Sequence, residues 1–162
     1  MRSTLCLLAL LLLWFTAACN RDTVRFIDSL IGEWEVVGFE AVGTSSGVIT
    51  PNAVGGVLQL SDCQGATTFN PCPSTFTGTN GDVYELEWIA ALDFDGVDRL
   101  ELRFISDSND FADDVIADVL NRPWNINLQD NTLQLNMAQV TQTGPALGFE
   151  QLAEAAVSLS KR

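Results

Sequence analysis

Between residues 84 and 137 apolar side chains return at every second position, the period that sets one face of a β-strand on a core and the other in water. Tyr84, Leu86, Trp88, Ala90 and Leu92 share one face, with Glu85 and Glu87 opposite. Leu100, Leu102 and Phe104 stand against Glu101 and Arg103, and Trp124, Ile126 and Leu128 against Asn125, Asn127 and Gln129; Leu133, Leu135 and Met137 continue the series. Three earlier runs, Glu33 to Val42, Val57 to Ser61 and Ser74 to Thr79, read as less regular strands. Asn80-Gly81, Asp95-Gly96 and Asp130-Asn131 separate consecutive runs, and each dipeptide tolerates the positive φ of a tight hairpin. The pattern predicts an all-β, antiparallel up-and-down meander. Closure into a barrel removes its edges best, although a β-sandwich built on the same meander satisfies the same alternation.

Two segments break the period of two. Phe26 to Ile31 reads as one or two helical turns, ended by Gly32, whose apolar residues plug a barrel end. Phe111, Val115, Ile116, Val119 and Leu120 recur at helical spacing behind Asp107 and Asn109, and Arg122-Pro123 stops that helix. This insert, 111–121, is expected across one end of the barrel, as a cap on the core or as a lid over a pocket. The last segment fits a helix through Phe149, Leu152, Ala153, Ala156 and Val157, or a strand through Ala155, Val157 and Leu159; we read a strand over 155–161. No internal repeat and no low-complexity tract is apparent.

The first residues follow a different rule. Arg2 precedes an almost unbroken apolar run, Leu5 to Phe15, that ends in the small residues Thr16-Ala17-Ala18, the layout of a secretory signal peptide. A membrane-spanning helix needs about 20 apolar residues, more than this run supplies. Phe15-Thr16-Ala17-Ala18-Cys19 resembles the lipobox of bacterial lipoproteins. That resemblance implies cleavage before Cys19, lipid (palmitate among the chains) on Cys19 and attachment to a membrane of the bacterial cell envelope. Three acyl chains at about 0.8 kcal/mol per buried methylene make such an anchor permanent. Asn20 after the cysteine implies the outer membrane rather than the inner. The expected organisation is a leader over 1–18, a lipidated cysteine and tether over 19–25, and one barrel domain over 26–162.

Charge and the reactive residues narrow the function. The full chain carries a formal charge of −13; removal of the leader with Arg2 makes it −14. Such a field repels nucleic acid and anionic headgroups, so no nucleic-acid partner is expected. Cys63 and Cys72 are the two thiols left in an oxidising compartment and are expected to pair, a bridge that stabilises by roughly 2 to 3 kcal/mol in the chain-entropy view. The chain has no histidine, which removes Ser-His-Asp and Cys-His arrangements and most zinc sites. The best-aligned acids, Glu85, Glu87 and Glu101, fall on outward faces. The acid-rich segments 93–98 and 107–114 miss the calcium-loop template, because Val97 and Phe111 take ligand positions. No cofactor, metal or enzymatic activity is expected.

Leu30-Ile31-Gly32-Glu33-Trp34, a short helix followed by Gly-x-Trp opening the first strand, resembles the lipocalin (calycin-type) barrels, in particular the lipocalin-like domains of bacterial lipoproteins. The resemblance implies that Trp34 packs across a closed barrel end against a basic side chain of a late strand, with Lys161 or Arg162 in reach. Trp34, Tyr84, Trp88, Phe104, Trp124 and Met137 all fall on inward faces and would line a cavity if one exists; no charge falls on the regular inward faces, so a ligand there would be small and apolar. The function expected first is a non-enzymatic lipoprotein that binds such a ligand in its barrel. The alternative is an accessory or structural envelope lipoprotein with a filled barrel that binds another envelope protein.

Overall fold

Each alternating run hydrogen-bonds to the next in the chain. The computed structural model describes residues 25–62, 70–92, 98–105 and 114–162. After a helical stretch over residues 25–30 (α1), the strands are β1 (Gly32–Gly43), β2 (Gly47–Ile49), β3 (Val57–Leu60), β4 (Cys72–Thr77), β5 (Val83–Leu92) and β6 (Asp98–Phe104). A second helix, α2 (Val115–Leu120), precedes β7 (Pro123–Gln129), β8 (Thr132–Met137), β9 (Thr141–Gln142) and β10 (Gln151–Lys161).

The sheet closes. β1, β3, β4, β5, β6, β7, β8 and β10 pair antiparallel in that order, and β10 returns to β1 through a long ladder that runs from Trp34 opposite Lys161 to Gly43 opposite Leu152. The result is an eight-stranded barrel. The short strands β2 and β9 lie against the far ends of β1 and β10. The sequence reading missed both, since two or three residues are too few to show a period. It placed the other strands to within a few residues, and the last segment is a strand from Gln151 to Lys161, paired to β1 along nearly its whole length rather than coiled into a helix.

Registers orient the barrel. The start of β1, the end of β3, the β7–β8 turn and the end of β10 share one end, which we call proximal because α1 lies there. The β4–β5 turn, α2, the β8–β9 connection and the start of β10 share the other, distal end. At the β7–β8 turn Asp130 takes a positive φ of 50°, the conformation expected of that dipeptide, and Gly81 does the same between β4 and β5. Asp95-Gly96, the acid-rich segments up to Asp113 and the start of the expected insert at Phe111 lie outside the described residues. So do Cys63, Cys19 and the leader.

Candidate functional site

Among the described residues the inward faces form one core cluster. Trp34, Trp88 and Trp124 have no water-accessible surface, and neither do Leu58, Leu86, Leu100 and Leu133 around them; Tyr84 stacks on Phe76 at 6.2 Å between ring centres. Of the six residues expected to line a cavity, these four aromatic ones are therefore packed core, and Phe104 and Met137 are half-buried at the distal mouth. Side chains fill the barrel axis at the level of the three tryptophans.

Each end has a stopper, and both are held the same way. At the proximal end Trp34 Nε1 donates to Leu30 O, the last carbonyl of α1, at 2.7 Å; at the distal end Trp124 Nε1 donates to Leu120 O, the last of α2, at 3.0 Å. The carbonyls at a helix C-terminus have no partner within the helix, so a buried indole N–H four residues on satisfies one and pins the helix over the core. The signal was present in the sequence as two Leu-x-x-x-Trp runs, 30–34 and 120–124, although the chain reads as free of repeats. Lys161 completes the proximal stopper: its ammonium lies 5.1 Å from the centre of the Trp34 ring and donates to Ser29 O at 3.0 Å. Gly32 has φ +133°, and a Cβ there would press on the Lys161 stem at 3.2 Å, so the glycine two before the tryptophan admits the lysine. Arg162 instead pairs with Glu35 at the surface.

The distal stopper carries buried charge that sequence reasoning did not place. Arg122, read as a helix stop, is buried; it donates to Val119 O through Nε, to Thr141 Oγ1 at 2.6 Å and to Asp118 O at 3.0 Å. Asp118 is buried beside it, and its carboxylate accepts the amides of Gly144 and Leu147. Burial raises the Asp118 carboxyl above its usual range despite those amides and the neighbouring guanidinium, and lowers Arg122 to about 10 against the pull of Asp118. The pair fastens α2 to the 141–150 segment. There Phe149 takes φ +60° and is 59 % exposed, held by Phe149 N to Gly144 O and by Gln142 Nε2 to Phe149 O, both at 2.9 Å. Next to it, the Glu150 carboxylate accepts the amides of Ser45 and Ser46 across the β1–β2 turn.

Comparison with protein-family models, curated proteins and solved structures finds no match to this chain.

Most of the remaining features lie on the outside. Arg103 sits between Glu101 at 2.7 Å and Glu87 at 4.0 Å, so those aligned acids hold a surface cation. Asp114 caps α2, accepting the amides of Ile116 and Ala117. Cys72 is buried and disulfide-bonded. Large apolar side chains are exposed at Val37, Val48, Val54, Val83, Ile105, Val140 and Phe149, and all but Val37 stand at the distal end. Finally, β8 and β10 part company. Their ladder stops at Asn136 opposite Ala156, and β10 finds β9 only at Gln151 and Leu152. A cleft of about 310 Å³ opens there, lined among others by Glu40, Val42, Met137, Ala153, Glu154 and Ala156.

Proposed function

We propose that this protein is a lipid-anchored lipoprotein of the bacterial envelope, non-enzymatic, whose lipocalin-like barrel is a filled scaffold that docks another envelope protein at its distal end. One observation carries the reading: among the described residues, six of the seven large exposed apolar side chains gather at the end opposite α1. Single exposed apolar residues are ordinary, but a gathering of them on one end of a monomer marks an interaction surface. A tether at Cys19 would leave the proximal end toward the membrane and turn this surface away from it. The packed tryptophans give a small apolar ligand no support in the barrel axis. The Lys161–Trp34 contact behind Gly32 supports the lipocalin-like reading, since it is the arrangement that resemblance implies.

Photocrosslinking in cells tests the proposal. A benzophenone side chain replacing Phe149, Ile105 or Val83 is expected to give a discrete adduct with one envelope protein, and the same group replacing proximal Glu33 or Asp62 is expected to give none. Adducts confined to the proximal positions, or none from any distal position, would overturn it.

A further inference from the structure

The registers assemble a patch on the distal outer wall that the barrel itself does not use. Across β2, β1 and β10, Val48 faces Val42 and Val42 faces Glu154; one row nearer the proximal end, Glu40, Ala156 and Asn136 stand side by side across β1, β10 and β8. Glu40 and Glu154 are thus diagonal neighbours on one face, their Cα atoms about 7 to 8 Å apart, so two like charges share that patch. Neither has an ion-pair partner among the described residues. Between them and Met137 the floor is small and apolar, Ala153 and Ala156, and the cleft occupies it. Among the described residues, 153–155 also have no ladder partner on their β8 side, which leaves a short length of strand edge open.

Resting on the docking reading above, we propose that this parting of β8 and β10 receives an extended, basic segment of the protein partner. Its main chain pairs with the open edge of β10, one aliphatic side chain sits on Ala153, Ala156 and Met137, and a lysine or arginine lies between Glu40 and Glu154. Strand addition supplies affinity through the main chain and specificity through alternate side chains, and here the alternate pockets are apolar and anionic. The volume is at the lower limit of small-molecule pockets and suits one or two side chains. A second copy of the chain would bring the same carboxylates, on a molecule of charge −13, against each other.

The test uses the full chain in zwitterionic micelles and the labelled pentapeptide Lys-Thr-Val-Thr-Lys, which sets valine and both lysines on one face of a strand, blocked at both ends, with Glu-Thr-Val-Thr-Glu as control. Fluorescence anisotropy is expected to show saturable binding of the lysine peptide alone, and methyl NMR to place its shifts on Ala153 and Ala156. Glu40→Gln with Glu154→Gln, both at exposed positions, is expected to weaken binding about tenfold, and Asp28→Asn with Glu33→Gln, which removes two exposed charges at the proximal end, to change it less than twofold. Equal binding of the two peptides, an unaffected Gln variant or shifts elsewhere would overturn the inference. So would octylammonium displacing the peptide at equal concentration, which would make the cleft a site for a small amphiphilic cation, or a dimer that the Gln variant abolishes. None of those outcomes touches the distal crosslinks from Phe149, Ile105 and Val83, whose own absence would sink the docking reading instead.

Discussion

Trp124 does two things at once, filling the axis and satisfying the end of α2, so shortening it is expected to cost twice. Trp124→Phe leaves Leu120 O buried without its donor, a loss of about 1 to 3 kcal/mol in addition to the lost packing. Urea unfolding should show it as a lower midpoint with an unchanged slope. Phe149 presents the opposite case. An aromatic residue at φ +60° is strained by about 1 to 3 kcal/mol, and its ring is in water, so nothing in the fold repays it. Phe149→Gly should therefore leave thermal stability unchanged or raise it by up to about 1 kcal/mol, and abolish docking; a lower Tm would show that the ring serves the fold. Neither role was readable in advance from the same kind of signal. The Trp124 face was legible because alternation fixes which side chains point inward, whereas the Phe149 backbone is set by hydrogen bonds to Gly144 and Gln142 that no local pattern encodes.

At the scale of elements, legibility follows length. Strands of six residues or more were found because hairpins pair neighbours in the chain, and the alternation then has to agree with one buried face. β2 and β9 were missed, and so was the use of Arg122, whose partners lie in a helix and in a segment some twenty residues on. That the barrel reading was right and the sandwich was not is settled by β10 returning to β1, a long-range fact that alternation leaves open. The distal loops also carry the clearest dependence on pH. Glu150 is held below the usual carboxylate range, first by the Ser46 hydroxyl and then by the Ser46 and Ser45 amides, so its clamp is present at neutral pH and is lost as pH falls through that lowered value. Asp118 is raised by burial, so its ionisation opposes folding as pH rises through the raised value, and on acidification it takes its proton first. Amide exchange, corrected for intrinsic rates, should stay slow at Ser45 and Ser46 while Asp118 titrates, and quicken only below the ordinary glutamate range. Loss of protection at both in step with Asp118 would show that the two loops open together.

Over the whole molecule, charge is distributed unevenly. Among the described residues, Arg25, Arg99, Lys161 and Arg162 lie toward the proximal end beside Asp28, Glu33, Glu35, Asp62, Asp98 and Asp130; the distal end shows Glu40, Asp82, Glu85, Asp114, Glu150 and Glu154, with Arg122 buried and Arg103 already paired. On an anchored chain this arrangement turns the less acidic end toward the bilayer and the repelling one outward. Replacement of Cys19 by serine is expected to move the protein from the membrane pellet to the soluble fraction with its melting curve intact; retention in the pellet would remove the anchor from the proposal. Closure has a further effect, on when the molecule exists at all. Lys161 reaches Ser29 across 132 positions of sequence, and the β1–β10 ladder joins the earliest strand to the latest. A chain that emerges N-terminus first can zip its hairpins one by one, but β1 keeps an open edge and Trp34 an uncovered face until β10 arrives. Any chain cut short before β10 is consequently left with two sticky margins and no lock, so proteases and chaperones can tell finished molecules from unfinished ones by that one strand.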